Sequence, residues 1–480
     1  MDVLLVHGYS ETSLSAYFGL PSRLQAGVPG IGRVALAAFN SLDDTVTVDD
    51  LADAMEVRVS AMESSASPPW DTAQSAIICH STGAIVARRW LLNRLASGKP
   101  LPSHLISMAG ANHGSTLALM GKSVLGYVQK LLLDHIVTVG SNVLTDLEYG
   151  SDFLLRLNRE WLERSNDGSL DGVWTFSMGG DFVGTDKTLQ IFWQTHEWGS
   201  DNTVRISGAN LNYTIIDASH DDQGQPLVTC LTPKRPVPHL VLTGYSHFGP
   251  VSGIVGWVDP AGDRAVGALR DALTVVTLED YQRVQTEWDA QLQTWMTNKR
   301  QARGPADPSD INSTLVFTMH DEGGRSIDDC LIAILNQSQL GAAANATGSN
   351  PGAAAAHVAA ANAVSSAIIA HSPIQNDVER GSYSFYIDYD TYVETSPHVF
   401  HGEAALPTQL VAFLPLTFTQ PESLPHAIAP NECTYVSLTM KRDADQMYAA
   451  YGFGPGLNLG TTWQPMPFPP DGQIPPPPVG

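Results

Sequence analysis

The segment Ser75-Ala-Ile-Ile-Cys-His-Ser-Thr-Gly-Ala-Ile-Val-Ala-Arg-Arg-Trp-Leu-Leu92 leaves this chain little choice of fold. Its first residues are apolar or small over the length of a buried strand, and from Gly83 onward apolar positions recur at helical spacing. Only residues 80–82 separate the two. A strand that passes at once into a helix does not hairpin back on its neighbour; it belongs to a mostly parallel sheet with helical crossovers. Residues 1–277 keep that rhythm. Short buried strands are expected at Val3–Val6, Ser75–Cys79, His104–Met108, Val173–Met178 and Leu240–Thr243, and helices at Gly83–Leu95 and Arg264–Val275.

Two further regions follow. The polar stretch Leu278–Arg300, with Tyr281, Trp288, Leu292 and Trp295 spaced along it, reads as a linker helix over 278–304, closed by Gly304-Pro305 and Asp307-Pro308. Residues 305–480 read as a β-sandwich-like accessory domain. Leu315–Met319, Tyr383–Tyr389, Leu410–Thr419 and Thr434–Met440 suggest strands of an antiparallel sheet, with Asp321-Glu-Gly-Gly324 as a turn. An Ala-rich insertion at 341–370 interrupts it, a loop in its first half and helix-forming over Ala353–Ala370. The tail 465–480 holds eight prolines and is expected to be extended. Three regions in 480 residues agree with about 150 residues per domain.

Charge narrows the function classes. With 49 acidic against 26 basic residues the chain carries −23, which argues against nucleic-acid binding and against electrostatic docking on anionic membranes. Contact with lipid, if any, must be apolar and local. Four cysteines, Cys79, Cys230, Cys330 and Cys433, are too sparse for a disulfide scaffold and form no C-x-x-C pair, so a reduced compartment fits. No run reaches the roughly 18 apolar residues of a transmembrane helix. Val3–Val6 reads as a core strand and not as part of a cleavable signal, so cytoplasmic synthesis is expected, with signal-independent export left open. Gly27–Gly32 lacks the Lys-Ser/Thr of a phosphate loop, and no metal set emerges.

The turn Cys79-His-Ser-Thr-Gly83 sits where a G-x-S-x-G elbow would hold a serine on a strained strand-to-helix turn. Gly83 meets the demand for a small residue; Cys79 departs from the usual glycine. Alone, the pattern equally describes a buried strand ending in an ordinary turn. A serine hydroxyl is a poor nucleophile until a base takes its proton and an acid orients that base. In α/β-hydrolases the acid and then the histidine follow the serine, each in a loop after a strand. Asp201 in Gly199-Ser-Asp-Asn-Thr-Val204 and His247 in Gly244-Tyr-Ser-His-Phe-Gly249 satisfy that order. Asp181, directly after its strand, is the competing acid, and a turn-capping aspartate is the plain alternative for Asp201. His239 precedes its strand and fits less well. At the front, Val3-Leu-Leu-Val-His-Gly-Tyr9 runs a strand into His-Gly, where the Tyr9 N–H, with that of Thr82 after the serine, is expected to form an oxyanion hole.

In this ordered set the chain resembles lipase-type α/β-hydrolases, the branch of GPI inositol-deacylases and bacterial triacylglycerol lipases. The residues that carry the resemblance are 3–10, 77–91, 107–115 with Asn112-His-Gly-Ser115, 144–158 with Leu147, Gly150, Ser151, Phe153, Leu154, Leu157 and Asn158, 199–204 and 244–249. The resemblance covers residues 1–275 and implies Ser81, Asp201 and His247 as a triad, with Tyr9 and Thr82 at the oxyanion. It also implies a helical cap over about 116–170, where the apolar stretch Leu117–Asp134 lies; ordinary core helices are the alternative there. His80 and His113 are expected to be hydrogen-bonded scaffold. Ile191-Phe-Trp193 reads as acyl-pocket lining or plain core. Asp259 and Asp263 lie where some lipases hold calcium, although surface solvation accounts for them as well.

The expectation is a carboxylic ester hydrolase acting on lipidic esters through an acyl-enzyme, without cofactor. Its only implied partners are the lipidic substrate and a transient lipid surface. A thioesterase or amidase on the same fold, a non-catalytic lipid- or glycan-binding protein, an adhesion role for residues 310–480, and an exported lipase toxin remain as alternatives.

Overall fold

The computed structural model describes residues 1–9, 17–115 apart from 66, 118, 140–182, 198–221, 226–304 apart from 261, 309–336 apart from 329, 367–369, 374–394, 397–404, 411–415 and 428–440. The elements in chain order are β1 (Asp2–Val6), α1 (Leu20–Gly27), β2 (Val34–Ala37), α2 (Val48–Ser65), β3 (Ser75–His80), α3 (Gly83–Ala96), β4 (His104–Met108), α4 (Ser141–Asp146), α5 (Asp152–Asn166), β5 (Trp174–Gly180), α6 (Ile206–Ala209), β6 (Tyr213–His220), β7 (Pro226–Leu231) and β8 (His239–Leu242). Then come α7 (Arg264–Leu273), α8 (Leu278–Ala302), β9 (Asn312–Asp321), β10 (Cys330–Asn336), β11 (Ile374–Gln375), β12 (Ser382–Asp388), α9 (Tyr389–Glu394), β13 (Pro397–Ala404), β14 (Val411–Pro415) and β15 (Cys433–Met440).

The first sheet runs β2-β1-β3-β4-β5-β8, and every neighbouring pair is parallel. Strand side chains alternate, so each face collects its own core. Leu4, Val6, Ile77, Cys79 and Leu105 pack with residues of α2, α3 and α5; Val3, Leu5, Ala76, Ile78, Ile106 and Met108 pack with residues of α1, α7 and α8. With helices on both faces, the strands read as unbroken apolar runs, which is why they were legible. Helix α8 does more than link. Thr277 and Asp280 form a capping box at its start, and Tyr281, Val284 and Trp288 bury against the sheet. Each such side chain contributes about 1.5–3 kcal/mol.

The C-terminal region differs from the all-antiparallel expectation. The second sheet runs β11-β12-β9-β15-β6-β7, and β15 lies parallel to both β9 and β6. Hydrophobic alternation shows that a strand has two faces but says nothing of its neighbour's direction. The β6–β7 hairpin comes from within residues 1–277, leaving the first sheet after β5 and returning at β8. With the passage from β8 through α7 and α8 to β9, the two sheets are joined through the chain three times. A third, antiparallel sheet runs β10-β13-β14.

Of the stretch expected as a cap, residues 116, 117 and 119–139 lie outside the described residues, whereas α5 packs into the core through Leu154, Leu157 and Trp161. Residues 341–366 of the Ala-rich insertion, the tail 465–480 and Ile191–Trp193 are likewise outside the described residues. Among the described residues no helix is long and apolar enough to cross a membrane.

Candidate active site

The serine turn is built by close approach. Strand β3 ends at His80, and Ser81 takes φ 55°, a left-handed conformation that a residue with a side chain adopts only under constraint. Helix α3 begins at Gly83, where a Cβ would sit against the carbonyl oxygens of Val6 and His7, so glycine is required there. Gly8 closes the other side: a Cβ there would lie 2.9 Å from Ser81 Cβ and 3.4 Å from its Oγ. Cys79 is tolerated because the position faces the core instead of the crowded turn. Its buried thiol donates to the Ile106 carbonyl at 3.4 Å, and burial pushes its pKa up to about 12.

Three of the residues named from sequence meet at this turn. His247 Nε2 lies 2.9 Å from Ser81 Oγ, and its Nδ1 lies 2.8 Å from Asp201 Oδ2. A carboxylate only accepts, so Nδ1 carries the proton and Nε2 is left to accept from the serine hydroxyl. The second Asp201 oxygen accepts from the N–H groups of Thr203 (3.0 Å) and Val204 (2.8 Å), which fixes the carboxylate. The backbones are tied as well, with His247 N donating to Asp201 O at 2.9 Å. All three side chains are buried, with Ser81 8% and His247 7% exposed. Thr82 follows the serine at the N-terminus of α3, and Tyr9 follows Gly8 on the turn that lies against it. That turn is held by His7, whose Nε2 accepts from Phe39 N at 3.0 Å while Nδ1 donates to Gly8 O at 2.8 Å.

The rivals fall elsewhere. Asp181 does not reach His247; it accepts from Gly244 N at 2.6 Å and from Trp295 Nε1 at 2.8 Å and pairs with Lys299. His80 bonds the His247 carbonyl at 3.0 Å, with the two rings 4.8 Å apart. His113 sits between the Tyr435 hydroxyl and the Asn210 carbonyl, and burial, with Arg88 nearby, lowers its pKa to about 3. His239 bonds Ser177 Oγ, and burial lowers its pKa to about 3. Asp259 pairs with Arg264, while Asp263 pairs with Arg23 and caps α7. Among the described residues no group of three or more His, Cys, Asp or Glu side chains is arranged to hold a metal.

Sequence reasoning missed the support of the Asp201 loop. Asn312 Nδ2 donates to Trp198 O at 2.6 Å, Gly199 N donates to Asp310 Oδ1 at 3.1 Å, and Arg205 bonds Trp198 O at 3.0 Å while its guanidinium lies 3.6 Å from the Tyr386 ring centroid. Asp310, Asn312 and Tyr386 are more than 100 residues away along the chain, and no local pattern reports such pairings.

A parallel sheet with helices on both faces and a strained serine between its third strand and the following helix define the α/β-hydrolase fold, here with an additional C-terminal unit. No protein-family model and no curated protein matches the chain. Among solved structures, phospholipase PlaB from Legionella pneumophila matches at TM-score 0.73 and 24% identity, over 92% of this chain and 94% of that one. The complex of that protein with thio-NAD matches with the same figures. Lipase BlEst2 from Bacillus licheniformis, in its mature form, aligns over 52% of this chain and 86% of its own at 15% identity and TM-score 0.35. The likeness to PlaB, at 24% identity, is one of fold, and it extends through the C-terminal unit.

Proposed function

We propose that the protein is a serine hydrolase of lipidic carboxylic esters. The observation that carries this reading is the continuous hydrogen-bonded line from Asp201 Oδ2 through the His247 ring to Ser81 Oγ, at 2.8 and 2.9 Å, on a strained backbone at the head of α3. Ser81 Oγ attacks the ester carbonyl as His247 Nε2 takes its proton. Asp201 holds the Nδ1 proton in place and stabilises the imidazolium that forms. The N–H groups of Tyr9 and Thr82 take the developing oxyanion, each contributing about 3–4 kcal/mol to the transition state. The alcohol leaves with the proton from His247. Water, deprotonated by the same ring, then releases the acid from Ser81, so the cycle needs no cofactor.

Two observations support a lipidic substrate. Phe182 (38%), Phe248 (39%) and Val251 (76%) are exposed on segments flanking His247, apolar surface that a small polar ester does not need. The ordered motifs point the same way within this fold, toward bacterial triacylglycerol lipases and GPI inositol-deacylases, and PlaB, whose fold this chain shares, is named a phospholipase. The −23 charge disfavours anionic bilayers, so the surface met in transit is read as neutral or zwitterionic.

The test is hydrolysis of a chain-length series of p-nitrophenyl esters, with phospholipids alongside. Rates should rise from acetate to longer acyl chains, and Ser81→Ala should lower kcat by at least about a thousandfold. Equal rates for wild type and Ser81→Ala would refute the reading.

A further inference from the structure

We infer that Lys299 of α8 is a positioning residue that holds the His247 loop and the Asp201 loop in register. The inference rests on the hydrolase reading and names a part of that machinery lying outside the triad. The Lys299 ammonium bridges two carboxylates, Asp181 at 3.1 Å and Asp310 at 2.7 Å. Each carboxylate spends its other oxygen on one catalytic loop. Asp181 Oδ1 accepts from Gly244 N at 2.6 Å, three residues before His247; Asp310 Oδ1 accepts from Gly199 N at 3.1 Å, two residues before Asp201. The path therefore runs from the histidine loop through Asp181, Lys299 and Asp310 to the acid loop, crossing from the first sheet through α8 to the start of β9.

The bridge is built tightly at both ends. The Asp181 side chain is 3% exposed and also accepts from Trp295 Nε1, one turn before Lys299 on α8. At the other end Gly199 has φ 67°, and a Cβ there would collide with Asn312 Nδ2 and Asp310 O, so the loop sits flush on β9. Sharing one cation, the two carboxylates stand no more than about 6 Å apart, and without it they would repel each other. That repulsion acts on the two loops whose separation sets the His247–Asp201 bond. Burial works against the Lys299 charge, but Asp181 and Asp310 outweigh it and hold its pKa above the ordinary lysine value. The cation is thus held in its charged form by the two carboxylates it joins.

The test uses the full chain with Lys299→Met, Lys299→Arg and Asp310→Asn, a p-nitrophenyl ester as substrate, and circular dichroism to establish folding. Lys299→Met should lower kcat about tenfold or more with KM within about twofold, because geometry at the nucleophile is lost and substrate binding is not. It should also move the acid limb of kcat/KM to lower pH, since an imidazolium less supported by Asp201 loses its proton more readily. Loss of a cation acting through space alone would move that limb the other way. Lys299→Arg should recover kcat to within about threefold of wild type. A folded Lys299→Met with wild-type kcat and an unmoved or raised limb overturns the inference, as does a failure of arginine to rescue. If Lys299→Met does not fold, Asp310→Asn keeps an acceptor for Gly199 N without the ion pair and is read by the same criteria. The low-field proton NMR signal of His247 Nδ1–H separates this inference from the hydrolase reading. A wild type without Ser81-dependent hydrolysis refutes the latter, while a signal unchanged in Lys299→Met refutes the former.

Discussion

Glycine and serine backbones decide the geometry at the smallest scale. Gly8 lies against the Ser81 side chain and Gly83 against the carbonyls of Val6 and His7, so substitutions at these two glycines probe the contact between the end of β1 and the serine turn. Gly8→Ala places a methyl 2.9 Å from Ser81 Cβ, an atom that moves only with the backbone of the turn. It should lower kcat about tenfold or more and lower the urea midpoint as well. Gly83→Ala instead drives a methyl into two backbone carbonyls and should destabilise the fold by about 3 kcal/mol, read by urea denaturation. Asp146 offers a test of charge. Burial chiefly, and the neighbouring carboxylate of Asp49, raise its pKa to about 6, although it accepts from Val48 N at the start of α2. An acid whose folded pKa lies above its unfolded value of 3.8 weakens the fold when ionised. The penalty is absent below pH 3.8, grows as pH rises and is complete above about 6. Asp146→Asn keeps an acceptor for Val48 N, so it should stabilise by about 1 kcal/mol at pH 7 and leave stability unchanged near pH 3.5, checked by urea midpoints at the two pH values.

Among the elements, α3 and β15 meet in a buried polar cluster. Arg88 on α3 is fully buried, bonds Asn112 O at 3.3 Å and Asn158 Oδ1 at 2.9 Å, and lies 4.9 Å over the Trp161 ring. The Tyr435 hydroxyl of β15 meets His113 Nδ1 at 2.8 Å and accepts from Asn158 Nδ2 at 2.7 Å. Tyr435→Phe strands His113 Nδ1 and leaves Asn158 Nδ2 only its bond to Asn112 O, and should destabilise by about 1–3 kcal/mol, measured by the urea midpoint. Legibility differed sharply between elements. Strands β1, β3, β4, β5 and β8 and helices α3, α7 and α8 stood out because burial on both faces writes continuous apolar runs and amphipathic helices into local sequence. The meeting of Ser81, Asp201 and His247 was legible because chain order and strand ends constrain where such residues fall. The β6–β7 hairpin was missed, although Tyr213-Thr-Ile-Ile216 and Leu227-Val-Thr-Cys230 around Gly224-Gln-Pro226 carry β-branched residues and a turn signal. Its pairing with β15, and the hold of Asp310 and Asn312 on the loop of Asp201, depend on partners distant in the chain and leave no local trace.

For the molecule as a whole, the second sheet is shared property. β6 pairs with β15 from Tyr213 with Cys433 to Ala218 with Leu438, so residues after 304 complete a sheet begun before 232. A chain ending at residue 304 would expose Ile216 and Tyr213 and lose the anchors of Trp198 and Gly199. It should not accumulate as soluble folded protein, checked by soluble yield and circular dichroism against the full chain. The central claim, however, concerns one oxygen atom. It is tested most directly by incubating the full chain with a fluorophosphonate and locating the adduct by peptide mass spectrometry. The account predicts a single adduct on Ser81, abolished in Ser81→Ala and strongly slowed in His247→Ala; a folded chain that takes no label, or takes it on another residue with Ser81 untouched, contradicts it.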